Sequence, residues 1–397
     1  MNNLIGHRRI GIVLVCSILF QFLSIDFYFK IKAFMLVVPV IWVINRCRFF
    51  LPPSTAVKFW FLVLFIFNLT GFYAYSPELA LRFNLGFLLF SLIFVMAYSF
   101  LRNRTFDEVI DVFILSGIIF NLLSFVLYLY GLSIINGNFL QFNGSGSFGV
   151  FVDRGIPRLN GLVDDPNFFA VFNFVFVFIA LSDLNSKLSK FLFILALMNI
   201  LLTFSRGGII ALIIGFFIYF LSQKGSKKIT ILFTFILVTF PLVLLITSNY
   251  LPYLTEFFIQ RTSTSSSGSG RVEIWSNAIS IFQENPIFGI GVFSFKEYNF
   301  DKFNDYHFMH NTFLEILIEG GIIIFSLYML SCFLFFIEIY KYGSKKHIPW
   351  LTASWATTYV SLVFLSGIIS EPILILLTLH SCYIYCTKTG RLNYGEK

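Results

Sequence analysis

Apolar runs of span length, broken by short polar links, repeat along almost the whole chain. A helix crossing a bilayer needs about 20 apolar residues. By that measure the pattern predicts helices near 10–27, 31–46, 57–75, 83–101, 109–130, 166–182, 190–204, 207–222, 229–249, 312–340, 349–368 and 371–387. The fold class expected is an all-α polytopic membrane protein with about 12 transmembrane helices and two long loops, both on the outer side. The chain divides into N-terminal scaffold helices (1–130), a first loop (131–165), central helices (166–249), a large loop (250–311) and C-terminal helices (312–397).

Composition agrees with that pattern and excludes some functions. The chain of 397 residues is 57% hydrophobic and 12% charged, against about 25% charged in soluble domains. Its net charge of +8 sits in short clusters between apolar runs, as topology signals do, so nucleic acid is not an expected partner. Placing the N-terminus inside puts most of the lysines and arginines on inner links, with both termini cytoplasmic. Those links are short and lack a glycine-rich phosphate cradle. Chemistry is therefore expected outside, on a substrate that arrives activated. The five cysteines show neither a disulfide framework nor zinc spacing. The stretch around Arg8, Arg9 and Ile10–Ile25 reads as an uncleaved first span rather than a cleaved signal.

The polar stretches carry the candidate chemistry. The first loop holds Arg154 and Arg158 and ends in Asp165-Pro166-Asn167. Asp165 can cap a helix whose first residue is Pro166; a direct substrate role for Asp164 or Asp165 is the other reading. In the large loop, Arg261, Arg271, Lys296 and Lys302 are outnumbered by Glu256, Glu273, Glu284, Glu297, Asp301 and Asp305. Individually placed arginines, not a basic patch, must then do any anion binding. Residues 262–270 form a Ser/Gly-rich tether. Val272, Trp275, Ile279 and Phe282 then recur at helical spacing, predicting a short helix that lies on the membrane or packs on the protein, with Arg271 at its N-terminal end.

Farther on, Thr312-Phe-Leu-Glu315 has the form of a capping box, which would place His310 and Asn311 at a helix N-terminus suited to anions. Glu315 is read first as that cap and second as a catalytic group. Asn311, Glu315 and Glu319 share one helical face, and carboxylates there should face protein or water. Arg206, in Ser205-Arg-Gly-Gly208, either snorkels to the interface or serves a site that its glycines leave open.

The motifs SRGG at 205–208, GRxxxW at 270–275, PxxGxG at 286–291 and HNxxLExxxEGG at 310–321, with DPNxFA at 165–170, together resemble the O-antigen polymerase and ligase family of bacterial membrane glycosyltransferases. The resemblance covers roughly residues 158–340. It implies an inner-membrane, inverting enzyme without a metal or other cofactor, taking a glycan from an undecaprenyl-diphosphate carrier at the periplasmic face. The family's two arginines and histidine fall on Arg206, Arg271 and His310. Asn311, Arg158, Arg154, Asp165, Asn167, Trp275 and Glu315 are the substrate-binding candidates beside them. A chain-length regulator protein joins the bilayer and the lipid-linked glycan as an expected partner.

Elementary chemistry supports those three roles. Guanidinium forks suit phosphate oxygens, and an imidazole can take the proton of a sugar hydroxyl. Polymerase and ligase differ in the acceptor, a second lipid-linked glycan or lipid A-core. The spacing His307-Phe-Met-His310-Asn311 departs from the HxHN-like arrangement of the ligases and favours polymerase. A transporter or flippase is the reading from another class, but no internal repeat is visible and the polar candidates gather on one face.

Overall fold

The computed structural model describes residues 2–26, 30–139, 141–142, 144, 146–223 and 271–392. In chain order the described elements are α1 (Asn2–Leu19), β1 (Ser24–Asp26), β2 (Lys30–Lys32), α2 (Phe34–Ile44) and α3 (Thr55–Leu69), which runs into a 3-10 turn at Thr70–Tyr73. Next come α4 (Pro77–Leu101), α5 (Phe106–Ile135), β3 (Gly146–Ser147), β4 (Val150–Asp153), β5 (Ile156–Leu159), α6 (Pro166–Leu181), α7 (Lys187–Leu202) and α8 (Arg206–Leu221). After the undescribed stretch follow α9 (Arg271–Glu284), α10 (Phe295–Phe303), α11 (Thr312–Tyr342), α12 (Ile348–Leu362) and α13 (Glu371–Lys388). The expected helix at 229–249, the tether at 262–270 and Arg261 lie outside the described residues.

Among the described residues, four helical stretches are long and apolar enough to cross a membrane: Thr55–Tyr73, Pro77–Leu101, Phe106–Ile135 and Thr312–Tyr342. Phe34–Ile44, Pro166–Leu181 and Arg206–Leu221 are apolar but shorter. Leu81, Leu85 and Leu88 on α4, and Leu122, Val126 and Leu129 on α5, point outward. Such rows of exposed apolar side chains are what a lipid-facing surface requires. This is a helical membrane protein.

α6 sits at the centre. Every residue from Phe169 to Leu181 is buried, so a helix of about 24 Å by its rise per residue can be shorter than the bilayer core without meeting lipid. Lipid is as apolar as the side chains, so close backbone approach and interhelical hydrogen bonds hold such helices together. A Cβ on Gly117 of α5 would stand 2.6 Å from the Phe176 ring, and one on Gly215 of α8 1.9 Å from Thr357 Oγ1 of α12. Between α5 and α7, Asn199 Nδ2 donates to the side-chain oxygen of Asn121 at 2.9 Å.

The two ends of the bundle differ. At one end meet the C-terminal ends of α4, α11 and α13 and the start of α5. There Arg102 donates to the Tyr385 hydroxyl at 2.9 Å, Lys346 pairs with Asp107 at 3.8 Å, and Lys388 donates to the Pro53 carbonyl at 2.9 Å. The buried Glu338 accepts from the Thr55 amide at 2.9 Å and lies 3.0 Å from His380 Nε2, closing the α3 N-terminus against α11 and α13. The other end carries the N-termini of α6, α8 and α11.

Three expectations need correction. Residues 131–165 are not wholly irregular: α5 runs on to Ile135, and β3, β4 and β5 form an antiparallel sheet in the order β3-β4-β5. The short β1–β2 hairpin is a second departure from a purely helical chain. The stretch read as one span at 31–46 is an 11-residue helix with Pro39 inside it, since the hairpin takes up Lys30–Lys32. Finally, Thr312 and Glu315 do not form a capping box. Asn311 is the N-cap of α11, accepting from Phe313 and Leu314 amides at 3.1 and 3.2 Å. An Asn one position earlier supplies the acceptor in the geometry that caps need. The Thr312 hydroxyl is then free to donate to the Leu365 carbonyl at 2.6 Å.

α11 is broken at Gly321, whose φ of 70° and ψ of 179° are open to glycine. The break lets the segment 286–291 dock against it. Ile322 N donates to Pro286 O at 2.9 Å, Ile290 N to Ile318 O at 3.1 Å, and Gly291 N to Glu319 O at 2.9 Å. The buried Glu319 carboxylate accepts from Phe293 N at 2.8 Å and Phe295 N at 3.0 Å. The PxxGxG and EGG motifs are thus two sides of one joint, and it fixes α9 and α10 over the end of the bundle.

Candidate functional site

The β4–β5 hairpin supplies the first wall. Its tight turn puts Arg154 at φ 54°. Two residues into β5, Arg158 occupies most of its donors within the protein. Nε donates to the Thr203 carbonyl at 2.8 Å, Nη2 to Asn167 Oδ1 at 2.9 Å and Nη1 to Asp153 at 3.4 Å. Asn167 also accepts from the Ser205 hydroxyl at 2.8 Å. The DPN and SRGG motifs are therefore joined through Asn167, with Arg158 as the clamp.

Helix capping sets the second wall. Asp165 accepts from Asn167 N at 2.6 Å and Phe168 N at 3.1 Å at the start of α6. Ser205 accepts from Gly208 N at 3.2 Å at the start of α8, leaving Arg206 as its first residue. The glycines after it have a packing reason. A Cβ on Gly207 would lie 2.9 Å from the Phe364 ring, and one on Gly208 3.0 Å from Ala170.

The third wall comes from α9 and the residues before α11. Arg271 opens α9 as described, and one turn later Trp275 Nε1 donates to the Met309 carbonyl at 3.1 Å. Met309 is buried, and His310 follows at φ 51° before the Asn311 cap. The chain around His310 is held on both sides.

These walls enclose a cavity of about 380 Å³. Arg154, Arg158, Asn167, Arg206, Arg271 and His310 all line it, with Asp153 and His307 beside them and Ser361, Phe364 and Leu365 closing the apolar side. Three residues at its edge, Arg154, Phe204 and His310, have left-handed backbones. Each such conformation costs on the order of 1 kcal/mol and clusters where structure over-determines a site. The N-terminal ends of α6 and α8 open toward the cavity and the chain enters α11 beside it, so helix dipoles add to four guanidinium groups. The chemistry on offer is binding of a strongly anionic group next to an imidazole.

The charges are tuned accordingly. The His310 pKa is lowered from its ordinary value, first by loss of hydration and then by the nearby Arg271 charge. Burial also lowers the Arg271 pKa, with Asp165 opposing it, and burial lowers that of Arg158, with Asp153 opposing it. The side chains of Arg206 and Arg271 make no hydrogen bond or ion pair among the described residues.

Four binding candidates stand behind the cavity instead of on its surface. Asp165 and Asn311 are caps, Trp275 holds Met309, and Glu315 accepts a hydrogen bond from the Ser366 hydroxyl. Asp164, the other half of the acidic pair, is paired with Lys30 of β2. Sequence reasoning missed Asp153, Phe364 and the position of His307 in the lining. His307 contacts the Asp305 carboxylate through Nδ1. A His three residues before another was a usable signal; Phe364, one Phe among 55, gave none.

Residues 191–329 match a family model described as O-antigen ligase. That stretch holds Arg206, Arg271, Trp275 and His310, while Arg154, Arg158 and Asn167 precede it. No curated protein matches the chain. Across residues 191–329 the chain matches the O-antigen ligase family, and with it the resemblance to the O-antigen polymerase and ligase family stands.

Proposed function

We propose that this chain is an integral-membrane glycosyltransferase, a surface-polysaccharide polymerase that extends a glycan carried on undecaprenyl diphosphate. The observation that carries the reading is the convergence of Arg206, Arg271 and His310 on one cavity. In this reading the cavity faces the periplasm, both termini are cytoplasmic and the membrane is the bacterial inner membrane.

Arg206 and Arg271 offer forked donors to the diphosphate of the donor and remain charged throughout the working pH range. As the anomeric C–O bond breaks, negative charge grows on the departing lipid diphosphate. Donors already in place there stabilise the transition state more than the ground state. His310, kept neutral by its surroundings, takes the proton from the acceptor hydroxyl as that oxygen forms the new bond at the anomeric carbon. Attack opposite to departure inverts the configuration. Arg158 and Asn167 keep the α8 corner in register, and Arg154 stands at the mouth as a further cation.

A second reading is O-antigen ligase, with lipid A-core as acceptor; the family match fits both readings alike. Deleting the gene in a smooth-lipopolysaccharide host separates the two. The polymerase reading expects lipid A-core capped by a single repeat unit. Bare core, with long polymer accumulating on undecaprenyl diphosphate, would overturn it in favour of ligase.

A further inference from the structure

The stretch from Phe293 to His310 is dense in aromatic residues, and they do not all go inside. Phe295 is buried under Glu319. By contrast Phe300, Tyr306 and Phe308 are 43%, 49% and 43% exposed, and Phe303, one turn after Phe300 on α10, is also exposed. Contacts fix these rings in place. Tyr306 packs edge-on to Phe300 at 5.5 Å, and its hydroxyl donates to Glu297 at 2.8 Å. The Lys296 ammonium stands 3.7 Å over Tyr306 and 4.6 Å over Phe308. Phe308 then meets the His310 ring at 6.4 Å. An exposed aromatic row with preset rings thus ends at the imidazole in the cavity.

Rings held open to solvent mark a contact surface, and their fixed orientation reduces what ordering would cost on binding. Two occupants could use aromatic faces here, a membrane surface or a carbohydrate. Charge decides between them. Three carboxylates border the row, Glu297 accepting from Tyr306, Asp301 from the Tyr75 hydroxyl and Asp305 contacting His307. Of the two lysines, Lys302 is paired with Glu284 while Lys296 sits on the aromatic faces. Carboxylates at the rim oppose an anionic leaflet and gain nothing in acyl chains. A sugar ring, however, has an apolar C–H face for an aromatic ring and hydroxyl edges for carboxylates. We propose that Phe300, Phe303, Tyr306 and Phe308 form the binding platform for the sugar rings of the acceptor glycan, delivering its terminal hydroxyl to His310. The identity of the glycan as acceptor rests on the glycosyl-transfer reading; carbohydrate binding itself does not.

The test uses the full chain in detergent and the free repeat-unit oligosaccharide, released from its carrier by mild acid. Saturation-transfer NMR should show contact between protein aromatic protons and the sugar. The paired variant Tyr306→Ala, Phe308→Ala should bind it about tenfold more weakly or worse, while Tyr306→Trp, Phe308→Tyr should retain binding. Arg206→Lys and Arg271→Lys should keep oligosaccharide binding although transfer falls about a hundredfold. Unchanged binding in the alanine pair would overturn the proposal. So would strong quenching of Tyr306→Trp fluorescence by lipids brominated along their acyl chains, which would put the row in the membrane. Ring-dependent sugar binding with no consumption of lipid-linked donor would overturn the glycosyl-transfer reading and leave the platform standing.

Discussion

Trp275 donates its indole N–H to the carbonyl of Met309 across 3.1 Å, and Met309 is the residue before His310. The bond ties the helix that begins with Arg271 to the backbone that presents the imidazole. Removing it while keeping the ring should loosen the His310 position without emptying the core. Trp275→Phe is expected to lower kcat about fivefold, in line with about 1 kcal/mol for such a bond, with little change in KM for the donor. Steady-state kinetics on purified enzyme decides it; an unchanged kcat would leave Trp275 as packing alone.

The environment of His310 predicts the shape of the acid limb. Lost hydration and the Arg271 charge disfavour the imidazolium, so the folded pKa lies below the ordinary 6.5. A base works when unprotonated, so the acid limb of kcat/KM should lie at lower pH than an ordinary imidazole would give. His310→Ala should remove about a thousandfold of activity along with this limb. In Arg271→Gln the residual activity should decline at higher pH than in the parent, because a repelling charge is gone. A limb that does not move on that substitution would separate the two residues.

Arg206 and Arg271 should not tolerate lysine. An ammonium keeps the charge but offers a single point, where the guanidinium offers a fork for two phosphate oxygens. Each Arg→Lys variant is expected to lose about a hundredfold in transfer with normal membrane levels. Two fully active lysine variants would mean that simple charge suffices. Arg158→Lys should fail differently, since Arg158 bonds Thr203, Asn167 and Asp153. It should lower thermal stability along with activity.

The sequence made the site legible wherever chemistry and local geometry coincide. A guanidinium beside two glycines, an imidazole before a helix and an Asp-Pro-Asn start each announce themselves, and Arg206, His310 and Asp165 stand where those signals put them. The cap at α11 was misplaced by one residue because Thr312 and Asn311 are both good cap residues, and the choice depends on Leu365, 53 residues away. α10 was invisible because FKEYNFDKF has little apolar periodicity; it is anchored through Phe295 and the Glu319 carboxylate of another helix. The β3–β5 sheet hid in a Gly, Ser and Asn-rich stretch whose turns were visible and whose two- and four-residue strands were too short to alternate. Tertiary partners, in each case, supplied what local pattern could not.

Metal dependence is a separate prediction. Asp164 is held by Lys30 and Asp165 is occupied in capping α6, so the acidic pair is committed to structure. Purified enzyme is expected to transfer glycan in excess EDTA at its usual rate. Loss of activity that manganese or magnesium restores specifically would release both carboxylates for a role as ligands, and Asp164→Asn should then abolish the rescue.

The joint at Gly321 gives the sharpest stability prediction. Two independent obstacles meet a side chain there. The backbone conformation is one that glycine alone adopts comfortably, and a Cβ would lie 2.1 Å from the Ile287 carbonyl oxygen. Gly390 gives the cost of a positive φ alone, because its φ is 69° with nothing within 4 Å of its Cβ position. Gly390→Ala should therefore cost about 1 kcal/mol from backbone strain. Gly321→Ala should cost about 3 kcal/mol or more, since relief of the clash would push Pro286–Gly291 off α11 and release α9 from the site. Thermal unfolding in detergent, with glycan transfer read alongside, tests the pair. Equal shifts in the two midpoints would show that the docked joint is not what positions Arg271 and His310.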